Sequence, residues 1–287
     1  TVNIGVNATR LPNYIFYYYN NSTNSPKITT VNFAEGSVCE KIGSYAFRGC
    51  SSLTSINFGD NNQLTTIGYY AFEGCSSLTS INIPSKVTNI DSRTFYNCHS
   101  LTTIEVDSAN TTYSSEDGVL FNKDKTTLIL YPVGNTRTSY TIPDSVTSIG
   151  SHAFSGCSNL TSITIPSSVV TIDGYAFENC SSLTSITIPE GITSIGNYAF
   201  RNCSSLTSIT IGEGVTSIGS NTFSGCSSLE SIVIPSNVTS IDKYAFSYCD
   251  SLISIEVDSA NPNYLSEDGV LFNKAKTTLI QYPASNT

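Results

Sequence analysis

Apolar residues recur along this chain at two short spacings nested inside one long period. In Leu183-Thr-Ser-Ile-Thr-Ile-Pro189 the apolar Ile186 and Ile188 alternate with hydroxyl residues. That is the pattern of a half-buried strand, and Pro189 ends it. Ile192-Thr-Ser-Ile-Gly196 gives a second short extended piece with Gly turning the chain. Tyr198-Ala-Phe200 crosses back to Cys203, where the motif begins again. From Cys157 to Cys249 the period is an unbroken 23 residues, a length that marks stacked-repeat architectures. One rung has too few apolar side chains to fold alone, so neighbours must share strand hydrogen bonds and faces. The pattern predicts a repeat solenoid, a right-handed superhelix rich in short strands and turns with short helical or 3-10 segments. Phe47, Phe72, Phe95, Phe154, Phe177, Phe200, Phe223 and Phe246 take one repeat position and should stack into a spine.

Residues 1–27 are irregular, with an alternating Val2, Ile4, Val6 followed by the aromatic run Tyr14-Ile-Phe-Tyr-Tyr-Tyr19 and the polar Asn20–Pro26. An array needs its first apolar face covered, so this segment is expected to be an N-terminal cap. The array itself is expected over 28–287. It starts in degenerate form with Ile28, Val31 and Phe33, and the unit from Leu53 carries two additional residues within Gly59–Gln63. Long units lie near 106–142 and 257–287, the second truncated. In each, two apolar runs flank a polar turn, and the first reads as a β-hairpin projecting from the stack around Asn122-Lys-Asp-Lys125. The two copies are offset by 151 residues. The lack of an initiator Met suggests a trimmed start, and the unfinished last unit suggests a boundary within a longer array.

Composition narrows the partners. The 287 residues carry 13 Lys plus Arg against 22 Asp plus Glu, a net charge of -9. Nucleic acid and anionic membrane surfaces both require clustered cations, so neither is expected as a partner. No run of about 18 apolar residues is present, which excludes a spanning helix and membrane insertion within this chain.

Eight of the nine cysteines (Cys50, Cys75, Cys98, Cys157, Cys180, Cys203, Cys226 and Cys249) share one repeat position. Stacking at the strand spacing would make them a ladder of parallel thiols, unsuited to disulfides or to converging on zinc, and best read as small buried hydrophobes. Cys39 stands outside the ladder.

Candidate chemistry is sparse. His99 replaces a repeat Ser and His152 a repeat Tyr, so both read as surface variants. No nucleophile elbow, zinc-protease helix or phosphate-cradling Gly loop appears, and no cofactor is expected. Asp107, Asn110, Glu116 and Asp117, with their copies Asp258, Asn261, Glu267 and Asp268, superficially suit calcium, but their spacing is not that of an EF-hand loop. Turns at a hairpin base require the same residue types, so no metal site is assigned.

The outward strand positions carry the candidate binding surface: Ser55 and Asn57, Ser80 and Asn82, Thr103 and Glu105, Ser162 and Thr164, Ser185 and Thr187, Ser208 and Thr210, Ser231 beside Val233, and Ser254 and Glu256. This is a largely uncharged hydroxyl and amide surface without the aromatic anchors of ordinary hot spots.

The segments L-T-S-I-x-I-P, V-T-S-I-G, A-F and C-S-S-L, over about residues 28–257, resemble the BspA-type leucine-rich repeats, a 23-residue class of bacterial and protist surface proteins. The D-G-V-L-F-N-K units at Asp117–Lys123 and Asp268–Lys274 are also similar to that family. Ordinary leucine-rich repeats carry an Asn ladder after the strand, whereas here the position varies among Lys86, Ser168, Gly191 and Asn237. The resemblance implies a leucine-rich-repeat-like solenoid at the cell surface or outside the cell. It implies a non-enzymatic, monomeric module that binds a host or matrix protein through the sheet face in adhesion. The alternatives are a spacer within a larger surface protein and a glycan-binding module.

Overall fold

A computed structural model describes residues 1–17, 27–60 and 62–286. Tyr18, Tyr19 and Asn20–Pro26 of the expected cap, and Asn61 in the insertion, lie outside the described residues. The chain divides into two compact units, Thr1–Asn135 and Thr136–Thr287, and each is a stack of rungs.

In the first unit, Val2–Ile4, Thr30–Phe33 and Ser55–Asn57 form a parallel sheet with Val2, Val31 and Ile56 in register. Ser80–Ile83 pairs with Thr103–Val106 in a further parallel sheet. The shorter strands Arg10–Leu11, Lys41–Ile42, Thr66–Ile67 and Asn89–Ile90 form a third. Residues 2–16 therefore lay down a rung of the repeat kind, with Leu11 and Phe16 at the second-strand and spine positions.

The second unit repeats the design. Ser139–Thr141, Ser162–Thr164, Ser185–Ile188 and Ser208–Ile211 pair in parallel, as do Ser231–Ile234 and Ser254–Val257. The two-residue strands Ser148–Ile149, Thr171–Ile172, Ser194–Ile195, Ser217–Ile218 and Ser240–Ile241 build the other sheet. Threonines brace both edges: the Thr184 hydroxyl donates to Thr161 O and that of Thr207 to Thr184 O, each at 3.1 Å. Thr216 does the same to Thr193 O at 3.0 Å on the second sheet.

The spine forms as the repeat demanded. Phe16, Phe47, Phe72 and Phe95 stack at 5.1–5.6 Å between ring centroids, and Phe154 through Phe246 at 5.0–5.7 Å. Offset parallel rings suit the aromatic quadrupole. Beside them runs the cysteine ladder, buried throughout. Thiols of the ladder also donate to the phenylalanine carbonyl one rung back: Cys75 to Phe47 O (3.2 Å), Cys203 to Phe177 O (3.2 Å) and Cys249 to Phe223 O (3.2 Å). Burial pushes these thiols up, Cys50, Cys98 and Cys249 to about 12.

Three expectations need correction. Among the described residues there is no helical or 3-10 segment. The crossing around Ala-Phe is a run of turns because its N–H groups alternate between two partners. Ala46, Arg48 and Cys50 donate within the rung to Gly43, Tyr45 and Phe47 carbonyls, whereas Tyr45, Phe47 and Gly49 donate to Tyr69, Ala71 and Glu73 of the next. Half of the donors a helix needs are thus given to the neighbour. Tyr45, Tyr70, Tyr175, Tyr198 and Tyr244 moreover sit at φ 54–61°, outside right-handed helix.

The long units do not project. Tyr113–Glu116, Val119–Asn122 and Thr127–Leu130 form an antiparallel meander, and Val119, Leu120, Phe121 and Leu128 are fully buried. The first hairpin turns at Asp117-Gly118, both at positive φ, and Gly118 O accepts from Ile104 N at 2.9 Å, tying the turn to the main strand. Tyr264–Glu267, Val270–Asn273 and Leu279–Gln281 repeat the meander.

His152 is not a surface variant. It is 6% exposed, stacked on Tyr175 at 4.7 Å, with Nδ1 2.7 Å from Ser151 Oγ. It fills the slot the repeat gives to Tyr, and stacking with the next rung covers it. His99 is exposed.

Candidate recognition face

Alternation in the main strands decides the face. Ser185–Ile188 and Ser208–Ile211 read exposed, buried, exposed, buried, so Ile186, Ile188, Ile209 and Ile211 enter the core while their neighbours face solvent. Register then lines up like with like: Ser185 opposite Ser208 and Thr187 opposite Thr210. Ser162 is opposite both Ser139 and Ser185, and Thr164 opposite Thr141. Ser231 and Val233 stand opposite Ser254 and Glu256. In the first unit Asn3, Asn32 and Asn57 make an amide row, and the Asn32 amide donates to Asn3 Oδ1 at 3.2 Å. Ser55 is exposed, Ser80 and Asn82 flank buried Ile81, and Ser80 and Asn82 pair with Thr103 and Glu105.

The meanders close these rows. Thr103 is half-buried, with its Cα 3.3 Å from where a side chain on Gly118 would begin. Glu105 accepts from Ser115 Oγ at 3.4 Å. Ser254 is half-buried against Gly269 in the same manner, and Ile255 N donates to Gly269 O at 2.8 Å. Thr103 and Ser254 are thus partly covered, while Glu105 and Glu256 stay exposed.

The carboxylates and amides that superficially suited calcium are occupied separately. Asp107 Oδ1 accepts from Ala109 N (2.8 Å), Glu116 pairs with Lys125 (2.9 Å), and Asn110 is 1% exposed with its amide bonded into the backbone. Among the described residues no group of three metal-ligating side chains converges, and no helix is long and apolar enough to cross a membrane.

Sequence reasoning did not anticipate an aromatic row along the turn edge. Tyr14 stacks on Tyr45 at 4.8 Å and Tyr45 on Tyr70 at 5.4 Å, with Arg48 lying over Tyr45 and paired to Glu73 at 2.7 Å. In the second unit Tyr175 stacks on Tyr198 at 4.7 Å under Arg201. Tyrosine at the same repeat position was the available signal. Its meaning depended on a left-handed backbone that brings successive rings face to face.

The rung geometry and its repeat sequence coincide with one family model, BspA type leucine rich repeat region, which matches residues 9–132 and 133–260. The chain is a BspA-type leucine-rich repeat protein. A leucine-rich repeat protein from Eubacterium ventriosum is 31% identical with a TM-score of 0.72, covering 90% of this chain and 73% of that one. A leucine rich cell surface protein from Faecalibacterium prausnitzii is 28% identical with a TM-score of 0.60, covering 90% and 88%. The pneumococcal vaccine antigen PcpA shares the fold, at 20% identity and a TM-score of 0.62 over 90% and 80%. No functionally curated protein matches the chain. The BspA-type solenoid is thus a scaffold of the binding kind, with relatives among bacterial surface proteins.

Proposed function

We propose that this BspA-type array is a non-enzymatic adhesion module, displayed on a cell surface or secreted, that binds a host or matrix protein. The contact surface is the extended sheet face. The observation that carries this reading is the in-register row of uncharged outward side chains, Ser162, Ser185 and Ser208 beside Thr187 and Thr210. Repeat scaffolds recognise partners through such extended surfaces. Here successive rungs present hydroxyls at the strand spacing of about 4.8 Å, a grid for hydrogen bonds to a partner's backbone and polar side chains. The Faecalibacterium relative, named a cell surface protein, supports the location.

The test is surface plasmon resonance of the chain against a panel of extracellular-matrix proteins, repeated with Thr187→Arg and Thr210→Arg together. Both residues are exposed, so the variant should fold. Binding by the parent chain that is lost in the variant supports the reading. Binding that survives it, or no binding across the panel, leaves a spacer role in its place.

A further inference from the structure

The turn after Phe58 borders a polar cleft. The main sheet of the first unit stops at Ser55–Asn57 and a separate one begins at Ser80–Ile83. At this break lies a cleft of about 190 Å³. Its apolar contribution comes from Ile56, Phe58 and Pro84, with Phe58 and Pro84 buried. Its polar groups are Asn57, Asp60, Asn82, Ser85 and Asp107.

The chemistry of that lining selects a ligand class. Among the described residues no Lys, Arg or His lines the cleft, so phosphate, sulfate and carboxylate ligands would meet two Asp side chains and no lining cation. The lining is too polar for a lipid tail. Some groups are already engaged: Asn57 Oδ1 accepts from Gly59 N at 3.0 Å and Asp107 Oδ1 from Ala109 N at 2.8 Å. That leaves the Asn57 amide donors, the second Asp107 oxygen, the Asp60 carboxylate, the Asn82 amide and the Ser85 hydroxyl. An amide presenting N–H beside carboxylates disfavours a bare cation, which needs oxygens alone. Alternating donors and acceptors match hydroxyl groups, which both give and accept hydrogen bonds. We infer that the cleft lined by Asn57, Asp60, Asn82 and Asp107 binds one ring of a neutral saccharide. Asp60 and Asp107 accept from its hydroxyls, and Asn57 and Asn82 donate to its oxygens. Asn57 and Asn82 belong to the outward rows of the first unit, whereas the hydroxyl row that carries the adhesion reading, with Thr187 and Thr210, lies in the second.

Saturation-transfer-difference NMR with a panel of neutral hexoses and N-acetylhexosamines tests it. At least one sugar should show transfer from the intact chain. Losing one charge-assisted hydrogen bond in Asp60→Ala, or the amide in Asn82→Ala, should weaken binding about tenfold. Both residues are exposed, and an unchanged circular dichroism melt confirms that each variant is folded. Thr187→Arg with Thr210→Arg should leave sugar binding intact, which separates this result from the fate of the protein-binding face. No transfer from any sugar, transfer untouched by both cleft variants, or binding of Ca²⁺ with no sugar would each overturn the assignment.

Discussion

Asn261 makes, 151 residues downstream, the same four hydrogen bonds as Asn110. The Asn110 amide donates to Pro84 O (2.8 Å) and Val87 O (3.0 Å), and its Oδ1 accepts from the N–H groups of Thr112 and Tyr113 at 2.8 Å. Asn261 donates to Pro235 O and Val238 O and accepts from Asn263 and Tyr264 at matching distances. Both side chains are buried. Three residues later a tyrosine completes the clamp, since Tyr113 Oη accepts from Ile90 N and Tyr264 Oη from Ile241 N. The long unit thereby fastens itself to the turn and second strand of the preceding rung through side chains.

Removing the clamp leaves buried backbone groups without partners, each costing about 1–3 kcal/mol. Asn110→Leu should lower the stability of the first unit by about 3 kcal/mol in urea denaturation followed by circular dichroism. A loss within about 0.5 kcal/mol, the range of an ordinary surface substitution, would show that the four bonds are not used.

The crossing turn holds one residue out of keeping with its place. The position before each ladder cysteine has positive φ in every rung and is occupied by Gly49, Gly74, Asn97, Gly156, Asn179, Asn202, Gly225 and finally Tyr248. A side chain there costs about 1–2 kcal/mol unless it is Gly or, in part, Asn. Tyr248 is 79% exposed, so little packing offsets the strain. Tyr248→Gly should stabilise the second unit by about 1 kcal/mol, read as a higher urea midpoint. A lower midpoint would contradict the strain argument.

Two glycines one repeat apart should respond differently to the same substitution. A Cβ on Gly214 would collide with Glu190 O, whereas one on Gly191 would sit 3.4 Å from its nearest neighbours. Gly214→Ala should cost about 3 kcal/mol through forced backbone movement, and Gly191→Ala should be close to neutral. Equal effects in thermal melts would contradict the rung spacing at that point.

The thiol ladder predicts both protection and an alkaline limit. At pH 8 the native chain should not react with a thiol-specific disulfide reagent, and in denaturant all nine cysteines should react. The folded thiols of Cys50, Cys98 and Cys249 are pushed from 9.0 to about 12. A raised folded value means that the folded state keeps its protons when the unfolded state has lost them. The stability this contributes is present in full below about pH 9 and is lost as pH climbs toward 12. Denaturation midpoints should therefore fall between those values, and a flat profile would contradict the burial.

Much of this was legible in residues and much was not, for a consistent reason. Ile186 and Ile188 announce their burial by alternation, and the phenylalanine and cysteine files follow from period alone. Those readings need only equivalence between rungs. What escaped depends on how one rung meets the next. The turns around Tyr45 follow from alternate N–H donation to the neighbouring rung. The burial of His152 follows from stacking on Tyr175. The docking of the meander follows from Ile104 bonding Gly118. The outward rows of the face were readable strand by strand, but the cleft beside Asn57 and Asn82 is lined by residues of three successive rungs, which only the stacking brings together.

The central claim is that identical outward positions of successive rungs stand side by side. Spin labels placed by Ser185→Cys and Ser208→Cys, with the buried native thiols unlabelled, measure it directly. Register puts these two residues opposite each other on adjacent strands, about 4.8 Å apart along the stack. The doubly labelled chain should show a strongly broadened continuous-wave spectrum that neither single variant shows. A spectrum equal to the sum of the two singles would mean that the rungs do not stack in this register.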